Sequence, residues 1–135
     1  MLGRVQEGGG VVRLIARFTV PGKPVPKARA RVKMTKAGPY AYTPKRTADA
    51  EQMIFGYAYQ ALKDWTTKGP VELYCQFFFG SNPRTEVEIW ESDYKGVIPP
   101  GDVDNMAKLV ADSLAPFFND RQIVRLTAEK IGKDA

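Results

Sequence analysis

Two carboxylates stand two residues apart in Gly101-Asp102-Val103-Asp104-Asn105, and a third, Asp120, follows a segment of helical pattern. In extended backbone that spacing sends both side chains to one side, so Asp102 and Asp104 share a face while Val103 points away from it. Carboxylates held close together raise one another's pKa and cannot all stay ionised without a positive partner. A hard cation such as Mg²⁺, with Mn²⁺ as a substitute, takes oxygen ligands and keeps waters for a substrate phosphate. With Asp102, Asp104 and Asp120 as its ligands, it could activate water against a phosphodiester. Lys108, one helical turn past Asp104, would project toward the same end of the helix and offset charge developing on the scissile phosphate.

Each residue also has a plain reading. Asp104 can cap a helix, Asp102 can serve a turn, Lys108 and Asp112 can form an i, i+4 surface pair, and Asn119-Asp120 is ordinary turn chemistry. A calcium loop fits poorly, because counting from Asp102 the positions that should hold Gly and a bidentate Glu are Ala107 and Ser113. Catalysis is favoured by their coincidence in one small chain that lacks other catalytic residue types. The sequence has no His and one Cys, Cys75. Ser/His and Cys/His nucleophiles and thiolate or imidazole zinc sites are thereby excluded.

The elements that must position these groups are legible in part. With 135 residues, 44% of them apolar, the chain is expected to fold as a single domain over residues 11–135 behind a flexible lead at residues 1–10. Val12, Leu14, Ala16, Phe18 and Val20 alternate with polar neighbours as in a half-buried strand, stopped at Pro21-Gly22. Thr43-Pro44 or Thr47 opens a helix whose stripe is Ala50, Met53, Ile54, Tyr57, Ala58, Ala61, Leu62 and Trp65. Val71, Leu73, Cys75, Phe77 and Phe79 mark a second strand. Residues 81–100, with four acids and no clean period, read as a long loop with room for a short strand. A second helix runs from Asn105 through Met106, Leu109, Val110 and Leu114 to Pro116, and Gln122 to Lys130 alternates as a last strand. That order predicts an α/β (α+β) fold, a mixed sheet packed against two main helices. If the last strand pairs beside the segment leading into Asp102, the three carboxylates converge.

Charge is divided unevenly along the chain. Residues 1–68 hold 13 basic and 4 acidic side chains, a net +9, whereas residues 69–135 hold 7 basic and 11 acidic ones, a net −4. From Lys23 to Arg46 there are eight basic residues and no acid, with four prolines interrupting. A short strand at Arg29 to Lys33 would set Arg29, Arg31 and Lys33 on one side. Lys23, Lys27, Arg29, Arg31, Lys33, Lys45 and Arg46 are the candidate contacts to the phosphates of an anionic partner. No apolar run reaches the roughly 20 residues needed to span a bilayer, and Met1 to Gly10 lacks a signal-peptide core, so a cytoplasmic protein is expected.

The residues together resemble the RusA-type Holliday junction resolvases of bacteria and their phages. Gly101-Asp102-Val103-Asp104-Asn105-Met106-Ala107-Lys108 is similar to that family's Asp-x-Asp-Asn-x-x-Lys signature, and Asn119-Asp120-Arg121-Gln122-Ile123-Val124 to its downstream Asp-x-Gln-Val motif. Pro24-Val25-Pro26-Lys27-Ala28-Arg29-Ala30-Arg31-Val32 and Tyr42-Thr43-Pro44-Lys45 are similar to stretches of phage-borne members. The resemblance implies a homodimeric, Mg²⁺-dependent endonuclease that nicks four-way DNA junctions symmetrically in recombination and repair, with no organic cofactor and no membrane partner. It places metal-binding roles on Asp102, Asp104 and Asp120 and a catalytic cation on Lys108. Two alternatives stand beside it: a metal nuclease acting on other branched DNA or on RNA, and a junction-binding protein that does not cut, toward which Asn119 leans.

Overall fold

The computed structural model describes residues 12–130; the lead expected at residues 1–10 lies outside them. Five strands and two α-helices follow in the order β1 (Leu14–Pro21), β2 (Arg31–Thr35), β3 (Gly38–Tyr42), α1 (Lys45–Leu62), β4 (Val71–Phe78), β5 (Arg84–Glu91) and α2 (Val103–Ser113). A single 3₁₀ turn at Asp120–Gln122 comes after them. The chain divides into two compact units, residues 1–93 and 94–135.

In the first unit β1, β5 and β4 form an antiparallel sheet in that order, and β2 and β3 form a separate antiparallel hairpin. The α+β class and two helices are as expected, but among the described residues every pairing is antiparallel rather than mixed. Strand β1 alternates as its sequence demands: Ala16 and Val20 are buried, Arg17 and Thr19 exposed. Helix α1 packs along β1, and with Val87 of β5 these residues make the core. Leu62 ends α1; Lys63 adopts a left-handed φ of 55° and donates its N–H to the Tyr59 carbonyl, so Trp65 lies beyond the helix that its spacing suggested.

The central strand β5 occupies the stretch read from sequence as a long loop. Its acidic side chains hid it, since Glu is depleted in strands and three of the eight residues of β5 are Glu. The glutamates are accommodated because each meets an arginine. Arg17 sits directly across from Glu88 in the β1–β5 register and binds its carboxylate at 2.6 Å, while Trp90 Nε1 donates to the same group at 3.0 Å. Glu88 is 2% exposed, so this pairing keeps a buried charge compensated. Arg84 pairs with Glu86 at 2.8 Å and stacks over the Phe78 ring, and Arg13 pairs with Glu91 at 2.7 Å.

In the second unit, residues 94–130, α2 is the one regular helix among the described residues. The strand expected from Gln122 to Lys130 does not form: Gln122 closes the 3₁₀ turn and residues 123–130 have no ladder partner. Val124 is 97% exposed, so the alternating pattern there finds no surface to cover. Periodicity gives a strand its faces, but only a partner edge satisfies its backbone.

Candidate active site and nucleic-acid interface

The acidic signature sits where chain turns into helix. Gly101 has a φ of +96°, a left-handed conformation that suits glycine, and the next residue, Asp102, is the extended N-cap of α2. Its side chain makes no capping hydrogen bond and accepts only a long one, 3.3 Å, from Asn105 Nδ2. Asp104 lies in the first turn, where the helix dipole favours a negative charge. Both are exposed. Lys108 follows on the next turn, also exposed; it makes no ion pair among the described residues, in contrast to Lys45, whose i, i+4 partner Asp49 binds it at 2.7 Å. The surface-pair reading of Lys108 with Asp112 is therefore not realised.

Asp120 stands on the 3₁₀ turn, and Asn119 builds that turn. The Asn119 side chain accepts the Arg121 N–H at 2.9 Å, and the Gln122 side chain accepts the Asn119 N–H at 2.7 Å, a reciprocal capping box. An Asn here accordingly has a structural duty. Asp120 lines a depression of about 200 Å³ with Asn119, Ala111, Ala115 and Asp112 of α2. Asp112 is thus the acid that shares a cavity lining with Asp120, while Asp102 and Asp104 lie at the other end of the helix. Among the described residues no three Asp, Glu or Cys side chains converge on a common point where a metal ion could be held.

One further residue bears on the site. Lys130 Nζ donates to the carbonyls of Pro99 and Gly101 at 2.8 and 2.9 Å, tying the end of the described chain to the turn that delivers Asp102. Its partners are backbone carbonyls some thirty residues away, which leave no mark in the sequence.

The basic segment belongs to the first unit. Lys23, Lys27, Arg29, Arg31, Lys33, Lys45 and Arg46 are all exposed. Thr47, buried in the first turn of α1, accepts the Ala28 N–H at 3.0 Å and anchors the loop against the helix. Two of the cations are partly spent: Lys27 lies 3.5 Å from Glu51, and hydrogen bonding to Asp49 holds the Lys45 ammonium pKa above its ordinary value. Arg31 and Lys33 share a face of β2, and Arg29 precedes the strand. The partner strand β3, not foreseen, brings Tyr40 and Tyr42 opposite Lys33 and Arg31; the period-two tyrosines after Gly38 were its signal.

The family profile described as Endodeoxyribonuclease RusA matches residues 21–135, from the close of β1 through both units. The chain belongs to the RusA family. It is an endodeoxyribonuclease of the class that resolves Holliday junctions, which favours cleavage of four-way DNA over the binding-only and other-substrate alternatives. Comparisons with curated proteins and with solved structures return no significant match. No helix among the described residues of this RusA chain is long and apolar enough to cross a membrane.

Proposed function

We propose that Asp102, Asp104 and Asp120 are the metal-binding carboxylates of this RusA endonuclease and that Lys108 is its catalytic cation. The observation that carries the proposal is the opening of α2, where Asp102 and Asp104 are exposed and free of capping bonds and Lys108 has no acidic partner among the described residues. The donor chemistry fits Mg²⁺ or Mn²⁺, which need only one or two carboxylates when substrate phosphates and waters complete the shell. Asp102 and Asp104 would hold the ion, and Asp120, beside Asp112 at the other end of α2, is given its metal-binding role by the family motif alone. A cation held there lowers the pKa of a water and neutralises phosphate charge. Lys108 stabilises charge on the scissile phosphate, and Lys130 holds the Pro99–Gly101 turn in place.

Lys23, Lys27, Arg29, Arg31, Lys33, Lys45 and Arg46 bind the backbone of the junction arms. The enzyme works as a homodimer, because paired cuts in a nearly two-fold substrate need two equivalent sites. The family match through both units supports reading residues 11–135 as one nuclease domain. Its place of action is the cytoplasm of a bacterial cell, where its DNA substrate is found.

The test is a labelled mobile four-way junction incubated with and without Mg²⁺, with nicks mapped on all strands and the mass of the free protein measured by light scattering. Symmetric Mg²⁺-dependent nicks and a dimeric mass are expected. Binding without a Mg²⁺-dependent product would overturn the assignment of the metal site.

A further inference from the structure

The β2–β3 hairpin carries a chemistry that phosphate contact alone leaves unused. Arg31 is paired with Tyr42 and Lys33 with Tyr40, and strand alternation puts these four side chains on one face. The two tyrosine rings are 6.4 Å apart between centroids and 9° from parallel. They are 58% and 38% exposed, so they are not a core pair hidden under another layer. Phosphate binding needs cations only, and the loop before β2 already supplies them. Parallel, exposed rings set opposite cations suit a ligand that offers flat apolar faces and negative charge together.

We propose that Tyr40 and Tyr42 form a stacking platform for unpaired bases of a DNA strand, with Arg31 and Lys33 holding the flanking phosphates. Bases inside a duplex are stacked on one another and present edges, whereas bases freed at a branch point or in a single strand present π-faces. Such stacking tolerates any sequence, because every base has such a face. The eight cations and absent acids from Lys23 to Arg46 supply the charge complementarity. This rests on the reading of the basic segment as the DNA surface and adds the kind of DNA that it recognises.

The experiment compares affinities for a short dT strand, a duplex of equal length and a four-way junction at fixed salt without Mg²⁺. Tyr40→Leu/Tyr42→Leu should weaken dT binding roughly tenfold or more while duplex affinity stays within about twofold. Tyr40→Phe/Tyr42→Phe should bind dT like the unaltered protein, because the ring is retained. Unchanged dT affinity in the Leu variant, or an equal loss on strand and duplex, overturns the platform. Should the Leu variant unfold, photocrosslinking of a 5-bromouracil strand to the unaltered protein decides: adducts at Tyr40 or Tyr42 support the platform, and adducts confined to other residues overturn it. Junction nicking in Mg²⁺ by the unaltered protein is scored separately, so loss of the nuclease reading is distinguishable from loss of this one.

Discussion

Replacing Arg31 and Lys33 together by Ala should flatten the salt dependence of junction binding, and the structure sets the size of the effect. Eight cations lie between Lys23 and Arg46, of which Lys27 and Lys45 are engaged by Glu51 and Asp49. Six remain without an acidic partner among the described residues: Lys23, Arg29, Arg31, Lys33, Lys36 and Arg46. Each phosphate contact contributes about 0.9 to the slope of log K against log salt, so the five of these proposed as DNA contacts, Lys36 aside, give a slope near −4.5 and a loss of roughly 500-fold between 50 and 200 mM. Removing two should bring the slope up by about 1.8. The variant should therefore lose roughly tenfold less affinity than the unaltered protein over that fourfold range of salt. A control comes from the same geometry: Lys27→Ala/Lys45→Ala removes the same formal charge but from side chains already paired, and should move the slope by less than half as much. The assay is fluorescence anisotropy of a labelled junction titrated without Mg²⁺ at four salt concentrations. An unchanged slope in the Arg31/Lys33 variant, or equal changes in the two pairs, would refute the reasoning.

Further outcomes follow from the site and the sheet. Asp104→Asn should abolish Mg²⁺-dependent nicking while circular dichroism and junction affinity stay unchanged; unimpaired nicking would remove Asp104 from the metal site. Lys130→Met should raise the Mg²⁺ concentration needed for half-maximal nicking by loosening the Pro99–Gly101 turn ahead of Asp102, and Lys130→Arg should restore part of the difference. Arg17→Ala should cost about 3 kcal/mol in urea unfolding, because it strands the buried Glu88 carboxylate with Trp90 as its remaining partner. A loss below about 1 kcal/mol would mean that water replaces the guanidinium. Cys75 counts as exposed overall, yet burial pushes its thiol pKa up, so iodoacetamide should label it at pH 8 more slowly than free cysteine, with the rate still rising above that pH.

How far the chain explained itself depends on whether the signal was local. The alternation of Val12 to Val20 and of Val71 to Phe79, the apolar stripe of α1, and the turn into α2 at Asp102 all depend on neighbours a few residues away, and the structure places elements there. The Asp-x-Asp-Asn-x-x-Lys spacing is local too, so the family is legible in the sequence. Strand β5 is longer than the short strand for which the sequence leaves room, because what makes it acceptable is partly non-local. Glu86 and Glu88 look like loop residues until Arg84 and, across a strand boundary, Arg17 neutralise them. The final strand failed for the converse reason: Val124, Leu126 and Ala128 have the right alternation but no partner edge.

Residue types and their order set the available chemistry. Without His and with a lone Cys75, only carboxylates, amines, guanidinium groups and phenols can act here, and their order along the chain divides the basic from the acidic half. Tertiary structure decided which of those groups are free to act. It paired Lys27 and Lys45 with acids and left Arg31 and Lys33 open, set Tyr40 and Tyr42 beside them, gave Asn119 to the turn that bears Asp120, and fastened Lys130 to the loop before Asp102. Composition limits what a side chain can do, but its availability depends on partners that only the folded backbone brings within hydrogen-bonding distance.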